Sequence, residues 1–178
     1  MDFNMQQIEE YCTKKYKIVA NLPYYITTPI LSKFLLADNK PESITVMVQK
    51  EVGDRICAKN GTSDYGYFSV FCQSIADVKE VRFVPKEMFT PMPKIDSCII
   101  HFSNIKEKTL DEKYIDFCKS LFMFKRKTLY NNLTSANCLK HISKDIIINV
   151  MAELGLKPTV RSEELSIAQI NELYKKLL

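Results

Sequence analysis

The amino-acid sequence predicts an α/β fold, an open sheet with connecting helices, followed by a small all-α domain. Two short apolar runs, at residues 18–20 and 44–48, are each followed by a segment with helical spacing, which is typical of parallel strands. Two further strands then come with only a Pro-rich loop between them. From Lys106 onward the apolar spacing is helical, so we predict domains over residues 1–104 and 105–178.

The individual elements follow from apolar spacing and from capping and turn residues. The first strand should end where Pro23 removes a backbone donor. Thr28 and Pro29 indicate a helix start, with threonine as N-cap and proline at the first helical position. Gly155 should end one C-terminal helix, and Ser166 should cap the last one. The sequence predicts strands over residues 16–21, 44–48, 78–84 and 97–102, and helices over 2–15, 28–37, 49–58 and 67–76, and within 110–124, 146–155 and 166–178.

Composition and charge are those of an ordinary globular protein. Of the 178 residues 46% are apolar and 26% charged, and no apolar run reaches bilayer length. The six scattered cysteines lack a C-x-x-C pair, which indicates reduced thiols of a cytoplasmic protein rather than disulfides or a metal site. The net charge of +4 comes from residues 103–178, with 13 Lys and Arg against 9 Asp and Glu. This excess alone does not identify a nucleic-acid partner.

Residues 21–25, with the sequence NLPYY, are the first candidate site. They follow a predicted parallel strand, and open α/β sheets bind ligands at the carboxyl ends of such strands. An asparagine oxygen and a backbone carbonyl beside proline could accept hydrogen bonds from the exocyclic amine of adenine, while an aromatic ring stacks on the base. Alternatively, the segment is a plain strand-to-helix turn in which Tyr24 and Tyr25 pack. The residues alone leave both interpretations open.

Several longer motifs follow in a characteristic order. NLPYYITTPI is followed by VMVQKEVGDRI, YGYFSVFCQ, FTPMPKIDSCIIHF, FKRKTLYNNL and LGLKPTVRSEELSIAQ. Together these motifs resemble the ribosomal RNA adenine dimethyltransferase family, from about residue 16 to residue 178. NLPY is similar to the Asn/Asp-Pro-Pro-aromatic motif of amino-group methyltransferases. The resemblance implies the second half of a Rossmann-like S-adenosylmethionine methyltransferase sheet, ending in an antiparallel strand, followed by a small all-α C-terminal domain.

The resemblance also implies roles for five residues. Asn21 and the Leu22 carbonyl would accept from the adenine amine, and Asn21 would also lie against the cofactor, S-adenosylmethionine. Pro23 would fix the turn. Tyr24 and Phe89 would stack on the two faces of a flipped adenine, with no general base required. The residues alone instead favour Phe89 as a core anchor beneath a rigid turn.

Other polar residues carry weaker indications. Lys125, Arg126 and Lys127 are the densest basic run, which is commonly a solvated face. The local charge excess and the family's ribosomal RNA substrate favour phosphate contacts there. Helical spacing allows Glu51 and Arg55 to form an i,i+4 pair on a solvated face. Lys94 and Asp96 could equally be a surface pair.

The family's Gly-rich cofactor loop lies N-terminal to NLPY, and this sequence has four glycines and no G-x-G. We therefore expect a C-terminal part of a longer enzyme; the alternative is a complete chain whose sheet is completed by a partner. The implied function is dimethylation of N6 of two adjacent adenines in small-subunit (16S) ribosomal RNA, in ribosome biogenesis. Alternatives are a large-subunit methyltransferase of the macrolide-resistance type and a non-catalytic RNA-binding or ribosome-assembly module.

Overall fold

A computed structural model describes residues 15–178, which form two compact units. The first contains the described residues up to 57 and residues 75–109, and the second contains residues 58–74 and 110–178. The predicted domain boundary after residue 104 stays a prediction; the compact units group residues 58–74 with the C-terminal helices. The helix predicted over residues 2–15 lies, apart from its last residue, outside the described residues.

The first unit is built on a mixed four-stranded sheet, which confirms the predicted α/β fold. The strands, in chain order, are β1 (Lys17–Asn21), β2 (Ser43–Gln49), β3 (Asp77–Val84) and β4 (Ser97–Ser103). Their order in the sheet is β1-β2-β4-β3. β1 and β2 are parallel, whereas β4 runs antiparallel to both of its neighbours. The last strand along the chain, β4, is therefore the antiparallel one, as expected.

Two helices follow the parallel strands, α1 (Thr27–Leu36) and α2 (Lys50–Cys57). β2 alternates strictly, with Ile44, Val46 and Val48 buried and the residues between them half-buried. Such alternation places one set of side chains on the core face of a sheet. The buried face thus formed holds the strand ends, and the loops that follow them, in fixed positions.

The start of α1 differs from the prediction. A single 3-10 turn, Tyr24–Ile26, runs directly into the helix, so Ile26 rather than Thr28 occupies the N-cap position. Thr27 Oγ1 instead donates a hydrogen bond to the Pro23 carbonyl, at 3.2 Å. Pro29 lies at the third helical position, where its missing N–H removes no hydrogen bond because the first helical N–H groups have no intrahelical partner.

The second unit is helical, as predicted for the C-terminal region. Its helices are α3 (Tyr67–Ile75, of which Ile75 belongs to the first unit), α4 (Glu112–Leu121), α5 (Leu129–Ser135), α6 (Lys144–Glu153) and α7 (Ile167–Leu177). Ser166 caps α7 in a capping box, and Gly155, with φ of +66°, follows α6. Both predicted helix ends are therefore confirmed. Among the described residues, no helix is long and apolar enough to cross a membrane.

Candidate functional site

The loop after β1 is fixed by backbone hydrogen bonds. The Leu22 N–H donates to the Met47 carbonyl at 3.2 Å, which extends the β1–β2 pairing by one residue, and the Leu22 side chain is buried. Pro23 then ends the pairing, and its carbonyl accepts from the Ile26 N–H at 3.1 Å. Asn21 and Pro23 remain exposed. The motif thus forms a rigid turn with an accessible amide at the carboxyl end of β1.

This turn borders an open cavity of about 260 Å³. The five predicted catalytic residues all line it, together with two prolines of the loop before β4: Asn21, Leu22, Pro23, Tyr24, Phe89, Pro91 and Pro93. Residues separated by most of the first unit's sequence therefore meet at one place. Phe89 is half-buried in the cavity wall rather than enclosed in the core.

Tyr24 is held by a residue that the sequence analysis did not identify. Its hydroxyl lies 2.6 Å from Ser97 Oγ, and Ser97 is fully buried at the start of β4. The contact joins residues 73 positions apart, so no local sequence pattern could have indicated it. Tyr25, in contrast, is 84% exposed, so the prediction that it packs is wrong.

The loop that carries Phe89 is closed at its base by Asp96. One carboxylate oxygen, Oδ1, accepts from the Lys86 N–H at 3.0 Å, and the Asp96 carbonyl accepts from the Lys50 N–H at 3.0 Å. The Thr90–Pro91 peptide bond within this loop is cis. Among the described residues Lys94 forms no ion pair with Asp96, so the predicted surface pair is not formed.

A small ionic cluster lies on α2. Lys50 pairs with Asp54 one turn along the helix and lies 3.4 Å from a Glu80 carboxylate oxygen. The Asp54 hydrogen bond raises the pKa of Lys50, although desolvation opposes it. Glu51 and Arg55 form the predicted i,i+4 pair. None of these side chains lines the cavity, and their exposure limits their contribution to stability.

The predicted basic residues lie in the turn between α4 and α5. Lys125, Arg126 and Lys127 are all exposed, and Lys125 Nζ donates to the Ser63 carbonyl at 3.0 Å. In the described part of the chain neither Arg126 nor Lys127 forms an ion pair. Two cations without acidic partners suit an anionic ligand.

A buried asparagine supports this basic turn from below. Asn132 is 2% exposed, and its Oδ1 accepts from the Phe124 N–H at 3.1 Å while its Nδ2 donates to the Phe124 carbonyl at 3.4 Å. Both backbone groups of the residue before Lys125 are thereby bound.

Metal chemistry has no candidate site, since the described residues contain no group of three or more His, Cys, Asp or Glu side chains able to hold an ion.

The fold and the site position define a class. Two features are typical of a Rossmann-like methyltransferase. They are a mixed sheet whose last strand along the chain is antiparallel, and a polar motif at the carboxyl end of a parallel strand. Solved structures agree: a dimethyladenosine transferase from Plasmodium falciparum matches with a TM-score of 0.79 and 25% identity, over 92% of this chain and 68% of that one. The 23S rRNA methyltransferase ErmE has the same fold, with a TM-score of 0.65 and 22% identity, over 92% and 66%.

The sequence identifies the family within this class. The family model for ribosomal RNA adenine dimethylases matches residues 1–177, and the chain belongs to that family. It is 41% identical over 177 residues to ribosomal RNA small subunit methyltransferase A of Clostridium acetobutylicum, and 40% identical over 167 residues to the protein of that name from Bacillus cytotoxicus. These alignments cover 97% and 90% of this chain but 62% and 56% of the relatives. The resemblance inferred from the motifs is confirmed.

Proposed function

We propose that this protein takes part in the S-adenosylmethionine-dependent dimethylation of N6 of two adjacent adenines in small-subunit (16S) ribosomal RNA. The reaction would be a step of ribosome biogenesis in the cytoplasm. The observation that carries the proposal is the single cavity on which Asn21, Leu22, Tyr24 and Phe89 converge. Family membership and the names of the relatives support the choice of substrate.

The amine of adenine is a poor nucleophile because its lone pair is delocalised into the ring. The Asn21 side-chain oxygen and the Leu22 carbonyl would accept its two hydrogens, which localises the lone pair on N6. The Leu22 carbonyl is preorganised, since Leu22 is buried and its N–H is bound to Met47. The rings of Tyr24 and Phe89 would stack on the base and hold it out of the RNA.

S-adenosylmethionine would supply the methyl group, activated by its attachment to a sulfonium sulfur. On this chain Asn21 is the residue suited to contact it, because its side chain is exposed and forms no hydrogen bond within the described residues. Of the described residues that line the cavity, Tyr24 alone is titratable. We therefore propose no general base: the proton leaves to solvent after methyl transfer, through the open side of the cavity.

The basic turn would hold the RNA. Lys125, Arg126 and Lys127 present three cations on a turn whose backbone is fixed by Asn132. Contacts between lysine or arginine and phosphates supply affinity that does not depend on sequence and weakens with salt. Base selection would then fall to the cavity, and affinity to the helical unit.

Methylation of isolated subunits tests this function. The product of the complete reading frame is incubated with small subunits that lack dimethyladenine and with labelled S-adenosylmethionine, and the RNA is digested to nucleosides. We expect N6,N6-dimethyladenosine, with the rate reduced roughly 10- to 100-fold by Tyr24→Ala or Phe89→Ala, the cost of losing one stacking ring. Tyr25→Ala is the matched control, because this neighbouring tyrosine does not line the cavity.

Other outcomes identify the alternatives. A parallel reaction contains large-subunit RNA, and label in that reaction alone would indicate an enzyme of the macrolide-resistance type. RNA binding without any methyl transfer would indicate a ribosome-assembly module.

Calorimetric titration of S-adenosylmethionine into the 178-residue chain then examines the cofactor site. We expect no detectable binding, because Asn21 is the one cofactor contact that we propose on this chain. Micromolar binding would contradict that expectation.

A further inference from the structure

We propose that Asp96 and Ser97 act together as positioning residues that set the spacing of the Tyr24 and Phe89 rings. This inference rests on the proposed function, since it assigns those rings to the substrate base. Neither residue lines the cavity, so neither would touch the base itself. They act through the two aromatic side chains, from adjacent positions at the start of β4.

Ser97 holds Tyr24 by the edge of its ring. The 2.6 Å separation between Ser97 Oγ and the tyrosine hydroxyl is that of a short O–H···O hydrogen bond, in which either oxygen can donate. Ser97 is fully buried, so its hydroxyl has little access to water as a competing partner. A bond to the hydroxyl fixes the ring's orientation while leaving the ring faces free to stack.

Asp96 holds the Phe89 side of the cavity. Its Oδ1 accepts from the Lys86 N–H at 3.0 Å, and the Lys86 carbonyl accepts from the Phe89 N–H at 3.2 Å. The turn before Phe89 is therefore tied to the residue that precedes Ser97. The Asp96 carbonyl in turn accepts from the Lys50 N–H, at the start of α2.

The point from which Ser97 and Asp96 hold the two aromatic residues is rigid, because β4 is an interior strand. Ser97 pairs with Gln49 of β2 on one side and with Val84 of β3 on the other. Two aromatic side chains from distant parts of the sequence are thus both anchored at one dipeptide, Asp96–Ser97, where β4 begins. The separation of the rings is then determined by the sheet rather than by the loops.

This arrangement should affect turnover more than substrate affinity. The RNA would be held mainly through phosphates, whereas a misaligned base would reach the reactive geometry less often. We expect Ser97→Ala and Tyr24→Phe each to lower kcat roughly tenfold, as small misplacements do, with KM within about twofold. The double variant should be no slower than either single one, because both remove the same hydrogen bond.

Matched variants separate positioning from a general structural effect. Ser97→Thr keeps the hydroxyl and should retain the rate, and Ser103→Ala removes a serine from the other end of the same strand. Asp96→Asn keeps an acceptor oxygen for the Lys86 N–H, whereas Asp96→Ala removes it, so only the latter should slow the reaction. An unchanged kcat in Ser97→Ala, or multiplying losses in the double variant, would overturn the proposal.

A second measurement does not depend on activity. NMR of the protein with ¹³C-labelled tyrosine rings reports the order of Tyr24, with Tyr25 as internal reference. We expect Ser97→Ala to increase motional averaging at Tyr24 alone, and an unchanged Tyr24 ring would overturn the proposal. If the wild type transfers no methyl group, the proposed function fails while this measurement still decides whether Ser97 holds Tyr24. In the kinetic test, Tyr24→Phe leaves Ser97 in place and covers the case in which Ser97→Ala does not fold.

Discussion

Asn132 shows how one buried residue supports an exposed surface. Its side chain binds both backbone groups of Phe124, and its Nδ2 lies 3.5 Å from Ser162 Oγ. Removing this side chain would leave the Phe124 N–H without its acceptor, which costs more than an average hydrogen bond contributes, whereas the Phe124 carbonyl would keep the Lys127 N–H as a donor at 2.9 Å. The arrangement explains why the chain keeps a polar residue in the core of its helical unit.

Asn132→Ala should therefore lower the free energy of unfolding by about 1–3 kcal/mol, the cost of an unsatisfied buried group. Urea denaturation followed by circular dichroism measures this. Asn131→Ala is the matched control: that residue is the exposed neighbour on the same helix and should change stability by less than about 0.5 kcal/mol. Equal effects of the two substitutions would contradict the anchoring role of Asn132.

The cysteines should differ in reactivity according to burial. Burial raises the pKa of Cys98 to about 12 and that of Cys118 to about 12, so both remain protonated at pH 8. Because the thiolate is the nucleophile, iodoacetamide should leave these two unmodified in the folded protein and label the half-buried Cys138 before either of them. Mass spectrometry of digests measures the order, and all should react in urea. Labelling of Cys98 as fast as Cys138 would contradict it.

At the residue scale, the sequence indicates candidate site residues most clearly where they are adjacent along the chain. Asn21 to Tyr24 form a contiguous motif, and the structure brings them to one cavity with Phe89. Ser97 was missed because its role exists only through a contact across the fold. The predicted Thr28 cap was wrong: the N-cap is Ile26, two residues earlier, and Thr27 Oγ1 donates to the Pro23 carbonyl.

At the element scale, α2 packs so closely on β4 that Gly53 has no room for a side chain. A Cβ on Gly53 would collide with Cys98 Sγ and would approach Ile100 Cδ1 to 3.1 Å. Cys98 and Ile100 are fully buried, so neither can move out of the way freely. The glycine is thus required by the approach of helix to sheet, not by an unusual backbone angle.

Gly53→Ala should consequently destabilise the protein by about 1–3 kcal/mol, as overpacking of a core does. The matched control is Gly66→Ala, where an added Cβ meets nothing within 4 Å, and which should cost at most about 1 kcal/mol. Urea denaturation again measures both. A Gly53→Ala protein as stable as the wild type would mean that α2 can shift away from the sheet.

Strand positions were predictable to within a residue because alternation and turn residues record them directly. The irregularity in β3 was not: its pairing with β4 shifts between Glu80 and Arg82, around the exposed Val81. Strict alternation is broken there at Lys79–Glu80 and at Phe83–Val84, and these breaks do not distinguish a bulge from a regular half-exposed strand. Bulges and charged residues are common on edge strands, where they discourage pairing with another chain.

At the scale of the whole molecule, residues 58–74 show what local patterns cannot supply. A helix was predicted over residues 67–76, but not the membership of residues 58–74 in the helical unit. That grouping follows from packing: Ala58, Tyr65 and Val70 are buried in one cluster with the C-terminal helices. Apolar periodicity predicts which face of a helix is buried, whereas the choice of neighbours depends on the whole fold.

The chain's uneven charge leads to the last prediction, on RNA binding. The net charge of +4 lies in residues 103–178, and Arg126 and Lys127 belong to that region. If each contacts one phosphate, Arg126→Ala and Lys127→Ala should weaken binding of small-subunit RNA and reduce the slope of log K against log salt by about 1 each.

Lys175→Ala is the matched control, since Lys175 is an exposed lysine of the same unit paired with Glu172 at 2.8 Å. Fluorescence anisotropy across a salt series gives the slopes. Slopes unchanged by Arg126→Ala and Lys127→Ala, or reduced as much by Lys175→Ala, would mean that the charge excess acts diffusely and that the basic turn is a solvated face.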